Sequence, residues 1–343
     1  MKPILERKID HIALCLREDV EGGRRSGLER YYFLHQALPE IALTDVHLET
    51  TFLGQRIAAP ILISGMTGGP ERGTEINRNL AAAAQELGLP ISVGSQRAAL
   101  RHPETRESFA VVHREAPDVP VFANLGAADL GVRFDAAQVA DAVRMLDADG
   151  VFLHLNPLQE AIQGGGTAGF RGLAGRIAAL VQEADFPVLA KEVGCGISPQ
   201  AARLLAEAGV AAIDVSGVGG TSWSKIEGLR AADPTQRRLG LRFQDWGIPT
   251  EESLILCRAE LPGFPLIASG GMRSGIDSAK AMALSANLVA MALPLLAPAT
   301  QSAQAVLDAL HQHIEELRLA MFLIGARDVE TLRGSRHLLE EVR

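Results

Sequence analysis

Short runs of β-branched and aliphatic residues recur along the chain, most followed by an Ala-rich or helical stretch. The first run, Ala59 to Gly65 (APILISG), leads into the helical pattern Gly73 to Leu87. Further strand patterns cover Ile91 to Ser95, Val121 to Gly126, Val151 to Asn156, Pro187 to Val193, Ala211 to Gly217, Pro265 to Gly271 and Leu288 to Pro294. Runs such as PVLAKEV and PLIASGG are apolar almost throughout, as parallel strands covered on both faces require, and eight βα units are the number that closes a barrel. The pattern predicts an α/β fold, a (β/α)8 TIM barrel, with a doubly wound open sheet as the alternative. Two stretches fall outside a minimal barrel: the first 58 residues, and Val218 to Ile248, a long loop after strand six. Both can cover the barrel mouth, although the plainer role for the arm is a plug under the barrel. Within the arm, GLERYYFLHQALPEI predicts an amphipathic helix followed by a Pro-broken, extended segment through Thr51. Ala303 to Ile324 predicts a helix that completes the outer ring.

Length alone, 343 residues, suits either two domains of about 150 residues or one barrel of roughly 250 with extensions. No Ser/Gly linker or low-complexity tract divides the chain. The reading is therefore one domain, residues 1–343, with an N-terminal arm (1–58) and a barrel (59–343). Hydrophobic residues at 47% and aromatics at only 4% describe a globular core packed by aliphatic side chains. The 33 Lys and Arg against 41 Asp and Glu give a formal charge of -8, which argues against a nucleic-acid surface and demands a local basic cluster for any anionic ligand. The three cysteines, Cys15, Cys195 and Cys257, form no close pair and suit a reducing, cytoplasmic setting. Met1 to Asp10 mixes charges where a leader would carry an apolar core, and no apolar run reaches the roughly 18 residues of a membrane span.

A barrel of this type carries its site at the C-terminal strand ends, and those ends are polar here. Strand one ends in Ser64 to Gly69 (SGMTGG), strand two in Gly94-Ser95-Gln96-Arg97, strand three in Asn124-Leu125-Gly126, and strand four in HLNPLQE, His154 to Glu160. Strands five to seven add Lys191-Glu192, Gly217 to Thr221, and Ser269 to Arg273. SGGMRSG, with Ala290 to Ala292 after strand eight, suits a phosphate held on bare backbone and a helix start, although a plain strand-to-helix turn reads the same way. Lys191 ends an apolar strand, where an ammonium needs a partner. It can set charge at the N1/O2 edge of a flavin, form a Schiff base, or simply pair with Glu192 or Asp214. A single carboxylate, Glu160, beside ligand phosphates suits Mg²⁺. His154 and Gln159 can hydrogen-bond a substrate. Arg7-Lys8, otherwise a solvated pair, would join Arg97 and His154 in a cluster for a diphosphate if the arm folds over the mouth.

Together these motifs resemble the FMN-dependent type 2 isopentenyl diphosphate isomerases nearly from end to end. The shared segments are Arg7-Lys8 with His11, MTGG, GSQRAAL, NLG, HLNPLQE, KEVGCGIS, DVSGVGGTSW, WGIPT and ASGGMRSGIDSAKA. One departure is Gly65, where the family leads us to expect Ala. The resemblance implies that Gly65, Met66, Thr67, Ser95, Asn124, Lys191 and Thr221 hold the ring and ribityl chain of FMN, with its phosphate on Gly270, Gly271, Met272 and Arg273 and on Ala290, Met291 and Ala292. It further implies an isoprenoid diphosphate on Arg7, Lys8, Ser95, Gln96, Arg97, His154, Asn156 and Gln159, with Glu160 holding Mg²⁺ to it. Trp223 would cover the alkene with a ring face. The implied reaction is a 1,3 proton shift from isopentenyl to dimethylallyl diphosphate, with FMN reduced once by NADPH and acting as acid and base, and with Gln159, His154 and Trp223 assisting. No pair of acid and base carboxylates stands at the strand ends, so the cofactor would supply the proton chemistry. The resemblance also implies a homo-oligomer, a tetramer or octamer. An FMN-dependent 2-hydroxy acid oxidase shares the barrel, the lysine and the GGxR site, but it would need a His base after strand six or seven; a non-catalytic flavin-binding barrel is the remaining alternative.

Overall fold

In the computed structural model, which describes residues 3–166 and 169–341, every expected strand run contains a strand. Of the domain read over 1–343, Met1, Lys2, Thr167, Ala168, Val342 and Arg343 lie outside the described residues. In chain order the strands are β1 (Tyr31–Phe33), β2 (Thr50–Phe52), β3 (Gln55–Ile57), β4 (Ile61–Ile63), β5 (Ile91–Ser92), β6 (Val121–Gly126), β7 (Gly150–Leu155), β8 (Val188–Glu192), β9 (Ala212–Asp214), β10 (Leu266–Ala268), β11 (Leu288–Met291) and β12 (Leu338–Glu340). Strands β4 to β11 form a closed barrel of parallel pairs, sealed where Met291 of β11 registers with Ile63 of β4. The open-sheet alternative is thereby excluded.

The apolar runs conceal a two-residue alternation. Ile61 and Ile63 pack outward into the large cluster shared with the helices, while Leu62 between them joins an inner cluster with Phe122, Phe152, Leu189, Ile267 and Leu288. A strand buried on both faces shows no polar positions, so its period is hidden in the sequence. The helix Ala303–Leu323 ends one residue short of the expected span, and Glu71–Leu87 begins two residues early.

The N-terminal arm serves both ends of the barrel. The β2/β3 hairpin closes the bottom, where Phe52 meets Phe122 edge-on at 6.4 Å and Phe122 meets Phe152 at 5.5 Å. Three of the chain's few rings thus fill the floor. The helix α1 (Pro3–Arg17) lies instead at the mouth, burying Ile12 and packing Cys15 and Leu16 against the core. The amphipathic helix expected over residues 27–41 does not form. Gly27 takes a left-handed φ of 87°, Leu28–Arg30 make a single tight turn, and Tyr31 to Phe33 pair antiparallel with Leu338 to Glu340. Three consecutive aromatics favour a strand, and their partner lies at the far end of the chain, beyond the reach of local pattern.

The segment after β9 is likewise more ordered than a loop. It contains the helices Trp223–Arg230 and Pro234–Arg242, each begun by a capping side chain, Ser222 and Asp233. A bridge between Val218 and Pro249 ties its ends together. No described helix is long and apolar enough to cross a membrane.

Emptying the floor tests the plug: Phe52→Ala should cost about 3 kcal/mol of stability, measured by urea unfolding, and a loss below about 1 kcal/mol would contradict this role for the hairpin.

Candidate active site

The C-terminal ends of β4 to β11, with α1 and the helix beginning at Trp223, enclose one cavity. Arg7, Lys8, Arg97, Lys191 and Arg273 line it, against the acidic pair Asp129 and Glu160. A chain of net charge -8 therefore presents a cationic pocket, the condition that an anionic ligand sets.

On one side the pocket is glycine-walled. Gly270 and Gly271 adopt φ of 95° and 82°, and a Cβ on Gly270 would lie 2.2 Å from the Gly217 carbonyl oxygen. Only glycine fits, and it leaves bare backbone facing the space. Thr250, from the WGIPT motif, fixes this loop by donating its hydroxyl to the Gly270 oxygen at 2.6 Å. The start of the helix Gly275–Ala283 contributes less than the sequence suggested. Ser274 and Asp277 cap each other there, and the Gly275 N–H donates to Glu316 at 2.7 Å, so the loop and the end of β11, Ala290 to Ala292, form the cradle. Arg273 reaches across it to Glu21 at 2.5 Å.

Gly65, the departure from the family pattern, is set by packing. Its N–H donates to Ser92 Oγ at 2.7 Å, and an added Cβ would fall 1.9 Å from the Val93 carbonyl oxygen. In this chain the ends of β4 and β5 meet too closely for alanine. Nearby, Thr67 Oγ1 is buried with no hydrogen-bond partner in the protein, a cost that a bound ligand removes. Met66, Ser95, Asn124, Lys191 and Thr221 line the same side. That unpartnered hydroxyl, beside a cradle that a side chain would fill, fits a phosphorylated, ring-bearing cofactor.

On the other side, α1 delivers Arg7, whose guanidinium donates to Gln163 Oε1 at 3.0 Å, and Lys8, whose ammonium donates to the carbonyls of Gly68 and Ser95 at 2.6 and 2.8 Å. Desolvation, then the charges of Arg97 and Arg7, lower the Lys8 ammonium to about 7. Arg97 is held by Asp129 at 2.9 Å. His154 Nδ1 lies 2.7 Å from Asn124 Oδ1, an arrangement that leaves Nε2 as an acceptor when the amide oxygen receives the Nδ1 proton. Desolvation, then Lys191 and Arg97, hold that imidazole down at about 3, so it is neutral at neutral pH. Asn156 donates to Gln159 Oε1 at 2.9 Å and to Glu160 at 3.3 Å, which leaves Asn156 Oδ1 buried and unpartnered. No group of three or more metal-binding side chains occurs among the described residues. Glu160 could hold only a cation that brings its own oxygen ligands, as Mg²⁺ does with a diphosphate.

Twenty-two of the sequence-derived site residues line this cavity; Gln96 does not. It is fully buried, donating to the Ala142 carbonyl at 2.8 Å and accepting the Asn124 N–H at 2.9 Å. Its amide braces the strand that presents Asn124 and has no hydrogen-bonding capacity aimed at a ligand. Conversely, the sequence reading passed over Glu227, the buried hub between α1 and the rim. Glu227 accepts His11 Nε2 at 3.0 Å, Arg230 Nε at 3.1 Å and Gln159 Nε2 at 3.3 Å. Burial opposes its charge, but the His11 hydrogen bond and the Arg230 charge outweigh it and hold the carboxyl down at about 2. Trp223 packs edge-on to His11 at 5.0 Å and borders the cavity. The signal for Glu227 was its place one helical turn after Trp223.

Comparison with known proteins agrees with this architecture. Residues 171–340 match the family described as FMN-dependent dehydrogenase. Among solved structures, a mandelate oxidase variant with (S)-mandelic acid superposes with a TM-score of 0.67 at 22% identity, covering 97% of this chain and 93% of that one, a likeness of fold alone. Full-length relatives carry more. Proteins named isopentenyl-diphosphate delta-isomerase are 50% identical in Synechococcus, over 96% of this chain and 94% of the relative, and 47% identical in Nostoc, over the same shares. In Pyrococcus furiosus the identity is 46%, over 95% of this chain and 84% of the relative. With identities of 46–50% over at least 95% of its length, the chain belongs to the FMN-dependent isopentenyl-diphosphate delta-isomerase family.

Proposed function

We propose that the cavity binds FMN and isopentenyl diphosphate side by side, and that the enzyme interconverts isopentenyl and dimethylallyl diphosphate. The observation that carries this reading is one cavity lined both by a glycine loop with Lys191 and Arg273 and by a cluster of Arg7, Lys8 and Arg97 beside Glu160, which we read as two anion sites. FMN, once reduced by NADPH, supplies the acid–base chemistry of the 1,3 proton shift when bound. Gly65, Met66, Thr67, Ser95, Asn124 and Thr221 would hold its ring and ribityl chain; Gly270 to Arg273 with Ala290 to Ala292 would take its phosphate. Lys191 would set positive charge at the ring edge.

The remaining groups act on the substrate. Arg7, Lys8 and Arg97 fix the diphosphate by charge-assisted hydrogen bonds, and Glu160 holds Mg²⁺ between itself and that group. Asn156 orients Gln159, which faces the reacting carbons as a neutral hydrogen-bonding group. His154, neutral and tied to Asn124, shapes the diphosphate end. Trp223 covers the alkene and keeps water from the electron-poor carbon. An oxidase-type chemistry would need a histidine after β9 or β10, and residues 215–223 and 269–287 contain none. The relatives' names support a small-molecule substrate, and we infer an assembly of several barrels in solution.

The purified protein should be yellow, lose its colour with NADPH, and then convert isopentenyl diphosphate in the presence of Mg²⁺ under anaerobic conditions. Activity in flavin-free protein would overturn the reading. Lys191→Ala should weaken FMN retention, and Glu160→Gln should abolish the Mg²⁺ requirement together with most turnover; normal behaviour of both would contradict the assignments.

A pH signature follows from Lys8. Its charge is present below about pH 7 in the ligand-free protein and declines above it, and a bound anion restores it by proton uptake. The advantage of the wild type over Lys8→Met in binding inorganic pyrophosphate should be about tenfold at pH 6.5 (roughly 1.4 kcal/mol) and should shrink as pH rises toward 9. A constant advantage across that range, measured by titration calorimetry, would refute the role of Lys8.

A further inference from the structure

Beneath the cofactor side of the cavity lies a buried carboxylate with no assigned role. Asp214 ends β9, is fully buried, and faces Lys191 across the β8–β9 pair, with which it is in register. Its Oδ2 lies 3.8 Å from Lys191 Nζ and has no hydrogen-bond partner, while its Oδ1 accepts the Ser269 hydroxyl at 2.6 Å and the Ser216 N–H at 3.1 Å. Both serines line the cavity. Lys191 in turn donates to Ser216 Oγ at 3.3 Å and to the Glu192 carbonyl oxygen at 2.7 Å.

Two carboxylates adjoin this lysine, and only one is directed at it. Glu192 turns away, its Oε2 accepting the N–H groups of Val193 and Gly194 at 2.7 Å and that of Cys195 as well. His154, the neighbour of Lys191 in register on β7, is neutral. Asp214 is therefore the counter-charge to the ammonium. Ser216 adds a geometric demand, because its φ of 37° is left-handed and uncommon for a residue with a Cβ. The Asp214 carboxylate pins that N–H and so keeps the Ser216 hydroxyl where Lys191 needs it.

We propose that Asp214 is a positioning residue which, through its ion pair with Lys191 and its hold on Ser216 and Ser269, keeps the lysine charged and directed at the flavin edge. A buried ammonium deprived of its counter-charge sheds its proton more easily. Burial also pushes the Asp214 carboxyl up from its usual range, and Lys191 is the charge that opposes this. The inference rests on the FMN reading of the cavity and extends it to a residue that need not touch the cofactor.

The test compares Asp214→Asn with the wild type, each loaded with FMN, in the Lys191 and the Lys191→Met backgrounds. Asp214→Asn should weaken FMN binding at least tenfold at pH 9 and less at pH 6, because losing the counter-charge makes a buried ammonium easier to deprotonate as pH rises. The flavin midpoint potential, followed by anaerobic reductive titration, should fall below the wild type at pH 9 and match or exceed it at pH 6. In the Lys191→Met background the same substitution should move neither quantity. An equal shift at both pH values, or a shift that persists without Lys191, would overturn the proposal and leave Asp214 a purely structural residue. If Asp214→Asn alone fails to fold, Lys191→Met decides the matter: its infrared spectrum should gain a protonated-carboxyl band that the wild type and the Lys191→Met/Asp214→Asn protein lack, and its absence would refute the pairing. Wild-type protein that stays colourless after FMN loading would instead refute the flavin reading itself.

Discussion

Five cationic side chains brought to one rim repel one another, and the rest of the site is organised by that constraint. At a separation of about 4 Å and an effective dielectric near 20, two like charges cost on the order of 4 kcal/mol. Each cation accordingly has its own tether. Asp129 holds Arg97, Glu21 holds Arg273, Asp214 faces Lys191, the Gln163 amide accepts from Arg7, and two main-chain carbonyls accept from Lys8. The tethers fix where positive charge stands but do not cancel all of it, which leaves a field that two anionic ligands complete. Arg7 and Lys8, the two held by neutral groups, both have their charged forms disfavoured by burial, the Lys8 ammonium being lowered to about 7.

The fold supplies the tethers by position. Parallel closure directs every strand's C-terminal end to the same rim, so Lys191 and Asp214 become neighbours through strand register and Asn124 meets His154 across β6 and β7. The cations that the barrel strands do not provide arrive on α1, which docks through His11 onto Glu227 and through Lys8 onto the loop after β4. The hairpin at the opposite end performs the complementary task, since a floor closed by Phe52, Phe122 and Phe152 leaves the mouth as the open end of the barrel.

Most of this was legible because barrels place chemistry at strand ends. HLNPLQE, SGGMRSG and the lysine ending PVLAK stand out as polar groups that terminate apolar runs, and the rim brings them together. What the sequence hid was long-range. Tyr31 to Phe33 read as part of a helix because their strand partner, Leu338 to Glu340, lies at the other terminus. The stripe of Leu5, Ile12 and Leu16 in α1 was obscured by the charges around it, yet those charges are functional and the stripe is what docks them. Gln96 shows the converse error, a polar residue in a site motif whose amide is consumed by the backbone of its neighbours. Asp129 gave no signal, and Glu227 only its place one turn after Trp223, because an acidic side chain on a helix or loop reads as solvated until its partner is known.

The central claim is that one cationic cavity contains two separate anion sites that are filled together. Titrating inorganic pyrophosphate with Mg²⁺ into the FMN-loaded protein, while following both heat and flavin fluorescence, tests it most directly. The account predicts saturable binding of one pyrophosphate per chain with the flavin retained. Release of flavin in proportion to pyrophosphate bound would mean that the two anions compete for a single site, and would contradict it.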